Sequence, residues 1–283
     1  MTGVIAFQGR PGAYSDLACR NAYPNMTTLP CHTFDAAMEA VRSGAADLAM
    51  IATENSLAGR VPDVHSLLPQ SGLFVVGEAF QRVEHSLLAI KGATEAGLKT
   101  AHSHAVALGQ VRNVLAELNL TAVVESDTAG SAELLAQWQD PTKCAIASSL
   151  AGELFGLDIL RRNIEDAAHN TTRFFVMARA PIGFAPGTAG LMTTFIFRVR
   201  NVPAALYKAL GGFATNGVNM TKLESYMVDG HFSATQFLCD VEGHPEDLGL
   251  RRALEELTFF SREMKILGVY PAAAFRKAQG SGD

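Results

Sequence analysis

The hexapeptide Asn-Thr-Thr-Arg-Phe-Phe at residues 170–175 carries the side chains of this chain that are best suited to chemistry. Thr171 and Thr172 supply hydroxyls, Arg173 a permanent cation and Asn170 an amide, and an apolar run follows them. The end of a strand holds such groups rigidly, and they suit the capture of a small carboxylate and one assisted proton transfer. The alternative is an arginine in a surface ion pair and a threonine selected for strand propensity.

Two further polar segments follow apolar runs. Gly9-x-x-Gly12-x-Tyr14-Ser15 lacks the G-x-G-x-x-G spacing of dinucleotide sites, but free backbone N–H groups and the Ser15 hydroxyl at a helix N-terminus favour an anion. Glu54-Asn55-Ser56-x-x-Gly59 is expected at the carboxyl end of a strand, where parallel sheets bind their ligands. An ordinary strand–helix turn and a helix cap are the respective alternatives.

The segment His102-Ser103-His104 precedes a predicted helix. Its i, i+2 histidine spacing, with no third candidate ligand nearby, argues against a metal site, so His104 or Ser103 forms either a polar wall of a cleft or a solvated loop. Asp127-Thr128 either caps a helix or makes a further anion contact. Together these corners predict a cleft for a small polyanion, with no metal and no cofactor.

The composition limits the classes of function. A chain of 283 residues favours two domains, and a hydrophobic fraction of 48% is ample for a buried core. The net charge of −5, without a run of five like charges, argues against nucleic-acid or membrane-surface binding. The N-terminus has no basic leader and no apolar stretch reaches about 18 residues, which predicts a cytoplasmic protein. The four cysteines form no C-x-x-C motif and are expected to be reduced and mostly buried.

Apolar strands alternate with helical patterns from residue 3 to about 178. This alternation predicts an α/β region with a mainly parallel sheet covered on both faces, and two lobes with a cleft between them fit equally well. Thr33 is the predicted N-cap of the second helix. The predicted strands are 4–7, 27–31, 47–51, 73–76, 86–90, 99–102, 123–125, 143–147 and 173–177, and helices are predicted to begin near Ser15 and to span 105–118 and 129–137.

A segment rich in proline and glycine at residues 179–190 predicts a linker. The following unit of about 85 residues has the order β-α-β-β-α-β of a ferredoxin-like fold. Pro203 is expected at the first position of its first helix, and Asp229-Gly230 at the tip of a hairpin between strands 220–227 and 231–241. A strand at 265–270 closes the unit, and the tail from Phe275 to Asp283 is expected to fray.

Taken together and in this order, these residues resemble the monofunctional prephenate dehydratases. The second unit is similar to the ACT regulatory domain that follows the catalytic region in that family. The resemblance covers nearly the whole chain, and its most specific part is the Thr-Arg-Phe element with its upstream Asn. The matching segments are Gly9-x-x-Gly12-x-Tyr14-Ser15, Glu54-Asn55-Ser56-x-x-Gly59, Ser103-His104 with Ala107-Leu108-Gly109-Gln110, Asn170-x-Thr172-Arg173-Phe174, Pro203-x-Ala205-Leu206 and Asn219-Met220-Thr221-Lys222-Leu223-Glu224-Ser225.

The resemblance implies a two-lobed, periplasmic-binding-protein-like catalytic domain at 1–178, a linker at 179–190 and an ACT domain at 191–275. It implies the decarboxylating dehydration of prephenate to phenylpyruvate in phenylalanine biosynthesis, with feedback regulation by L-phenylalanine in a homodimer or homotetramer. Thr172 is the implied donor to the leaving hydroxyl. The implied substrate-binding residues are Arg173, Asn170, Ser15, Asn55, Ser56 and His104, and the implied effector-binding residues are Ala205, Leu206, Asn219, Glu224 and Ser225.

Two other readings stay open on the sequence. An arogenate dehydratase performs the same chemistry on a substrate with an amino group in place of the keto group. A non-catalytic protein that binds a small anion or an amino acid also uses a two-lobed cleft with helix N-termini around the ligand. The absent secretory leader and the Thr172-Arg173 pair weigh against the second reading.

Overall fold

A computed structural model describes residues 2–200, 202–227 and 234–279 of the chain. Within it the chain divides into two compact units. The first comprises the residues up to Ala40, Met50–Val61 and Phe80–Phe174, and the second comprises Val41–Ala49, Pro62–Ala79 and the residues from Phe175 onward. The predicted Asp229-Gly230 turn lies outside the described residues.

The first sheet has the strand order β2-β1-β3-β11-β5, with β4 paired to β3. Its β1 and β2 run parallel, as the alternation with helices predicts. The strands are β1 Gly3–Gln8, β2 Met26–Cys31, β3 Leu48–Asn55, β4 Gly59–Arg60, β5 Phe74–Arg82 and β11 Thr171–Ala178. The helices in this part of the sequence are α1 Tyr14–Ala22, α2 Phe34–Arg42 and α3 Pro62–Leu67, and a 3₁₀ helix spans Leu68–Gln70.

The second sheet has the strand order β10-β6-β9-β7-β8. The expectation of a mainly parallel sheet is wrong here, because β6 pairs antiparallel with both β9 and β10, whereas β7 runs parallel to β8 and β9. The strands are β6 Ser86–Ala89, β7 Thr100–Ser103, β8 Thr121–Val124, β9 Lys143–Ala147 and β10 Asp158–Arg161. The helices are α4 Ala105–Leu108, α5 Arg112–Glu117, α6 Thr128–Trp138 and α7 Ser149–Leu154, with a 3₁₀ helix at Glu95–Gly97.

Both faces of the second sheet are covered by apolar side chains. Leu87 and Ile146 pack with Leu108 and Val114 on one face, whereas the next residue along one of these strands, Leu88, packs in a separate cluster on the other. Successive side chains of a strand point to opposite faces, so a strand buried on both sides is apolar throughout. This explains the continuous apolar runs by which β6 and β9 are predicted from the sequence.

The third sheet belongs to the second unit and has the order β13-β14-β12-β15, with every pair antiparallel. Phe195, Phe213 and Leu254 are among the residues of its core, to which α8 and α9 contribute. The strands are β12 Leu191–Val199, β13 Met220–Met227, β14 Ala234–Glu242 and β15 Ser261–Pro271, and the helices are α8 Ala205–Thr215, α9 Leu248–Phe260 and α10 Ala274–Gln279.

Three local expectations differ from the structure. The helix predicted over 105–118 is two helices, because Gly109 ends α4 and the Asp166 carboxylate accepts from the Arg112 and Asn113 N–H groups at the start of α5. Pro203 precedes α8 instead of opening it. The tail, expected to fray, is helical from Ala274 to Gln279, and its remaining residues, 280–283, lie outside those that the structure describes.

That C-terminal helix is tied to the second unit by an ion pair. Arg276 donates from Nε to Oε1 of the fully buried Glu78 carboxylate over 2.6 Å. Glu78 is almost 200 residues away in the sequence, so local pattern could not predict this contact. By contrast, the predicted N-cap is confirmed, because the Thr33 hydroxyl accepts from the Ala36 N–H over 3.0 Å.

No helix among the described residues is long and apolar enough to cross a membrane. Cys19, Cys144 and Cys239 are buried free thiols and Cys31 is partly buried, as expected. Burial raises the pKa of the Cys144 thiol to about 12, so this sulfur is unreactive at neutral pH.

Candidate active site

A cavity of about 340 Å³ lies within the first unit. Its walls come from the loop and helix after β1, the end of β3, the segments after β5 and β7, the start of α6, and β11. The lining residues are Gln8, Gly9, Arg10, Ala13, Tyr14, Ser15, Asn55, Ala58, Val61, Val83, His85, His104, Val106, Ala107, Gln110, Asp127, Thr128 and Thr172. Polar groups therefore line the cavity together with valines and alanines.

The Thr172 hydroxyl lines this cavity and is held by an amide. Asn55 donates from Nδ2 to Thr172 Oγ1 over 3.0 Å, and Oδ1 of Asn55 accepts from the backbone N–H groups of Leu57 and Ala58, each over 2.9 Å. These two backbone donors determine which end of the Asn55 amide carries the oxygen. Thr172 Oγ1 is the acceptor in its hydrogen bond with Asn55.

Asn170 is fully buried and braces Asn55 from behind the cavity wall. Its Oδ1 accepts from Asn55 Nδ2 over 2.8 Å, and its Nδ2 donates to Oε1 of Gln110 over 2.9 Å. Asn170 is not among the lining residues of the cavity, and its predicted contact with substrate stays a prediction.

Arg173 does not face the cavity, contrary to the expectation that it does so beside Thr172. It is 4% exposed, donates from Nη1 to Oε1 of Glu54 over 2.8 Å, and lies 6.0 Å from the ring centroid of Phe80. The reason is strand geometry, because adjacent residues of β11 point to opposite faces. The same alternation in β3 turns Glu54 away from the cavity and Asn55 towards it.

Ser56 is also absent from the cavity wall. Its hydroxyl donates to the His169 carbonyl over 2.9 Å and accepts from the Thr171 N–H over 3.0 Å. The side chain thus joins the loop after β3 to the residues that precede β11. Its predicted contact with substrate stays a prediction.

Ser15 and His104 do line the cavity. Ser15 lies in the first turn of α1, where unpaired backbone N–H groups favour negative charge. His104 is the N-cap of α4, and its Nδ1 accepts from the Val106 N–H over 3.3 Å.

Some polar lining residues carry no role in the sequence prediction, namely Gln8, Arg10, Tyr14, His85 and Gln110. Tyr14 and Gln110 lie inside segments that match the family pattern, so those segments are the signal that could have found them. His85 lies in no such segment. It directly precedes an apolar strand, and nothing in the neighbouring sequence indicates a polar site. Tyr14 Oη lies 2.8 Å from His85 Nδ1, and His85 Nε2 lies 2.9 Å from Gln110 Oε1.

Burial governs the ionisation of the Tyr14–His85 pair. It lowers the pKa of His85 below its usual value of 6.5, against smaller opposing effects of Gln110 and Glu165. It raises the pKa of Tyr14 well above 10, and the carboxylates of Glu165 and Glu84 add to that rise. At neutral pH both side chains are therefore uncharged.

Among the described residues that line the cavity, Arg10 carries the only guanidinium. Its side chain is 51% exposed, its Nη1 donates to Glu133 Oε2 over 2.7 Å, and its Nε lies 3.4 Å from Asp127 Oδ2. These exposed ion pairs are weak, because solvent screens them. The guanidinium can therefore exchange a carboxylate partner for an anionic ligand.

The loop after β1 is held by close packing at Gly12. This residue has φ +86°, and a Cβ there would lie 2.8 Å from the Cα of Ala151. The Ser148 hydroxyl donates to the Gly12 carbonyl over 2.5 Å, and the buried Asp16 carboxylate accepts from the Gly12 N–H over 2.9 Å. Glycine is required here both by backbone conformation and by space.

The five predicted effector residues occupy two elements of the second unit and its adjoining loop. Ala205 and Leu206 begin α8, and Asn219 is an exposed residue before β13. Glu224 and Ser225 lie within β13, where the Glu224 carboxylate is 3.7 Å from the Lys222 ammonium. Ala204, just before α8, has φ +62°, a conformation that costs a residue with a Cβ about 1–2 kcal/mol.

Comparison with known proteins shows the class to which this site belongs. The family model for prephenate dehydratase matches residues 5–182. A curated protein of Komagataeibacter europaeus, "Bifunctional N-acyl-homoserine lactone acylase/prephenate dehydratase", is 63% identical over 97% of this chain and 98% of its own. "Arogenate dehydratase/prephenate dehydratase 2, chloroplastic" of Arabidopsis thaliana is 37% identical over 94% of this chain and 72% of its own.

Solved structures agree with these relatives. A structure described as "GqqA- a novel type of quorum quenching acylases" superposes with a TM-score of 0.91, at 63% identity over 96% of this chain and 99% of that one. The prephenate dehydratase of Arthrobacter aurescens, solved in complex with L-Phe, superposes with a TM-score of 0.85, at 28% identity over 98% of this chain and 97% of that one.

The chain belongs to the prephenate dehydratase family. It is accordingly a carbon–oxygen lyase of aromatic amino acid biosynthesis, and its reaction is the conversion of prephenate to phenylpyruvate.

Proposed function

We propose that Thr172 supplies the hydrogen bond, and through it the proton, that lets the ring hydroxyl of prephenate leave as water. The ring carboxylate departs as carbon dioxide, the electrons of that C–C bond enter the ring, and the C–O bond to the hydroxyl breaks. The prephenate dianion and one proton thus become the phenylpyruvate monoanion, carbon dioxide and water. A threonine hydroxyl is a weak acid, so it relays a proton or hydrogen-bonds the departing oxygen instead of ionising.

The single observation that supports this role is the orientation of the hydroxyl. Asn55 occupies an acceptor lone pair of Thr172 Oγ1, and two backbone N–H groups hold Asn55 in that orientation. The hydroxyl proton is left for a cavity ligand without any need for reorganisation during the reaction, which is the condition for effective electrostatic assistance.

Two features of the cavity suit a dianion from which one carboxylate must depart. Arg10 and the first turn of α1 with Ser15 provide positive potential for the carboxylate that remains. Val61, Val83 and Val106 form apolar wall, which desolvates a carboxylate without binding it tightly. Desolvation favours the loss of carbon dioxide, because the charge disperses as the bond breaks. We infer that Arg10 takes the carboxylate-binding role first expected of Arg173.

The test of this assignment is a comparison of kinetic constants. Arg10→Ala is expected to raise KM for prephenate about tenfold and to leave kcat within about threefold. The reason is the loss of one charge-assisted hydrogen bond, which contributes about 1.5–3 kcal/mol when buried and less at this half-exposed site, because solvent screens it. Glu133→Gln removes the charge of one of the two carboxylate partners of Arg10 and leaves the guanidinium in place. It is the control, and its KM is expected to be unchanged or lower. An Arg10→Ala enzyme with unchanged KM removes Arg10 from substrate binding.

We further propose the regulatory organisation that the resemblance implies. Residues 1–178 form a two-lobed, periplasmic-binding-protein-like catalytic domain, 179–190 a linker and 191–275 an ACT domain, in a cytoplasmic homodimer or homotetramer. L-Phenylalanine binds at the second domain, near Ala205, Leu206, Asn219, Glu224 and Ser225, and shifts the population of the catalytic state. In support, the Arthrobacter enzyme was solved with L-Phe and matches 98% of this chain.

Calorimetry of the full chain with L-phenylalanine tests this regulation directly. Heat of binding, together with lower activity at saturating phenylalanine, is the expected result. The absence of heat at millimolar phenylalanine removes the regulatory proposal and leaves the catalytic one intact, because the two concern different residues.

Arogenate is the nearest alternative substrate, because the Arabidopsis relative is named for both activities. It differs from prephenate by an amino group in place of the side-chain keto group, so one or two contacts in the cavity decide the preference. The ratio of kcat/KM for the two substrates measures it, and we expect the ratio to favour prephenate.

A second activity is raised by the Komagataeibacter relative, whose name also includes N-acyl-homoserine lactone acylase. One observation favours it beyond the 63% identity. A cavity of about 500 Å³, lined in part by Leu57 and Ala167, shares Ala58, Val106 and Gln110 with the first cavity and gives room for an acyl chain. Release of homoserine lactone from an N-acylated substrate, measured beside prephenate turnover, tests this activity.

A further inference from the structure

The amide side chains behind Thr172 form a hydrogen-bonded chain with one direction. The backbone N–H groups of Leu57 and Ala58 set the Asn55 amide, so its Nδ2 must face Asn170. Asn170 must then present Oδ1 to Asn55 and Nδ2 to Gln110, which presents Oε1 in return over 2.9 Å. Each amide fixes the orientation of the next one, because an N–H facing an N–H would leave both unpaired.

This direction extends to His85 and Tyr14. Gln110 Oε1 is an acceptor, so His85 Nε2, 2.9 Å away, carries a proton. In the neutral ring Nδ1 is then an acceptor, and the Tyr14 hydroxyl donates its one proton to it over 2.8 Å, in preference to the Glu84 carbonyl at 3.0 Å. The charged groups around this end are Glu165, whose carboxylate accepts from the backbone N–H of His85, and Glu84 and Arg82, which pair with one another. Arg82 also lies 3.6 Å from Glu165.

The hydrogen-bonded series of side chains is anchored where the backbone passes between the first two sheets. Asn170 lies on the segment that leads into β11, and His85 on the segment between β5 and β6. These segments are joined by backbone hydrogen bonds, from the Val83 N–H to the Asn170 carbonyl over 2.9 Å and from the Ile164 N–H to the His85 carbonyl over 3.0 Å. Backbone hydrogen bonds therefore hold Asn170 and His85, the two residues on either side of Gln110, at a fixed separation.

We propose that His85, as the neutral tautomer protonated on Nε2, and Tyr14 are positioning residues that hold Gln110, Asn170 and Asn55 in the one orientation that leaves the Thr172 proton facing the cavity. The proposal rests on the proposed role of Thr172. If the proposal is correct, the tautomer of His85 depends on the orientation of the Asn55 amide at the opposite end of the hydrogen-bonded series.

Side-chain ¹⁵N NMR of the full-length enzyme, labelled at histidine, reads that tautomer. The wild-type His85 is expected to be protonated on Nε2, and its signal is assigned by its absence in His85→Gln. In Asn55→Asp the carboxylate cannot donate a hydrogen bond to Asn170. The side-chain amides of Asn170 and Gln110 must then flip, so that oxygen and nitrogen exchange places, and His85 must become protonated on Nδ1. Tyr14 then donates to the Glu84 carbonyl, which already lies 3.0 Å from its hydroxyl.

His102 provides the internal control for this experiment. Its Nδ1 lies 2.9 Å from the Glu125 carboxylate and its Nε2 lies 3.0 Å from the Thr100 hydroxyl, so it is protonated on Nδ1. It should keep that tautomer in both proteins. A wild-type His85 protonated on Nδ1, or a His85 whose tautomer is the same in Asn55→Asp, overturns the proposal.

Kinetics supply the second arm. His85→Gln keeps a donor near the Nε2 position, so its kcat is expected within about threefold of wild type, whereas His85→Leu removes the donor and is expected to lose about 10- to 100-fold in kcat with little change in KM. Equal losses in the two variants contradict a positioning role. If His85→Leu does not fold, the tautomer measurement still decides. Normal turnover of a Thr172→Val enzyme would refute the role of Thr172 separately, without altering the tautomer expected of His85 in the wild type or in Asn55→Asp.

Discussion

The substitution Thr172→Val removes the one hydroxyl on which the proposed chemistry depends. Valine has nearly the same shape, so the strand geometry of β11 should persist. Two functions are lost together, the acceptor for Asn55 Nδ2 at 3.0 Å and the donor to the cavity. The first loss concerns stability and the second concerns the transition state, so the two effects can be measured separately.

The expected magnitudes follow from these contacts. Asn55 keeps its bond to Asn170, so only one of its amide protons loses a partner, and the free energy of unfolding should fall by about 1 kcal/mol. That corresponds to a decrease in Tm of about 2–4 °C for a chain of this size. Loss of assisted proton transfer should lower kcat about 100-fold or more, which is about 2.7 kcal/mol in activation free energy. KM should change little, because a hydroxyl contributes less to binding than the charged groups do.

The assay is the absorbance of phenylpyruvate in alkali after incubation with prephenate. Thr171→Val is the matched control, because it is the same chemical change one residue away, at a side chain that does not line the cavity. Its kcat should stay within about threefold of wild type, and Thr172→Ser should retain most of the activity since it keeps the hydroxyl. Near-normal turnover of Thr172→Val, or an equal loss in Thr171→Val, would refute the reasoning.

Three further outcomes are expected. Arg173→Lys should lower the free energy of unfolding by about 1–3 kcal/mol in chemical denaturation, because lysine cannot reproduce the buried contact with Glu54, and a tenfold rise in KM at unchanged stability would restore Arg173 to substrate binding. Gly12→Ala should lower the free energy of unfolding by more than Gly92→Ala does. Gly92 has a similar φ of +80° but open space where a Cβ would lie, so its substitution should cost only about 1–2 kcal/mol. Equal losses in the two variants would show that packing at residue 12 is unimportant. Because the pKa of His85 is lower in the folded protein, the unfolded chain takes up its proton first as pH falls. The free energy of unfolding should therefore decline from about pH 6.5 downward until the pKa of the folded state is reached. His85→Gln should remove that part of the decline, and a pH profile of unfolding that this substitution leaves unchanged contradicts the assigned shift.

Local pattern predicted those elements whose signals lie within a few residues of one another. Strands β6 to β9 of the second sheet, the cap at Thr33 and the order of elements in the second unit are examples, whereas β10 of the second sheet was not predicted. The antiparallel pairing of β6 was not predictable, because strand direction depends on partners far away in the sequence. The ordered C-terminal helix was missed for the same reason, since Arg276 is held by Glu78.

The site divides in the same way. Thr172, Asn55, Ser15 and His104 do line one cavity, although their roles stay predictions. His85 was missed because nothing beside it in the sequence indicates a polar site. Its partners Tyr14 and Gln110 are 71 and 25 residues away.

By itself the sequence determined the family, the kind of reaction and several of the side chains at the cavity, since these depend on residue type and order along the chain. Only the tertiary structure decided which way each side chain faces. Thr172 and Arg173 are neighbours, yet the pleat of a strand sends the hydroxyl into the cavity and the guanidinium to Glu54. It also joined Tyr14, His85, Gln110, Asn170 and Asn55 into one hydrogen-bonded chain, because hydrogen bonds form between groups that are close in space, and folding alone brought these together.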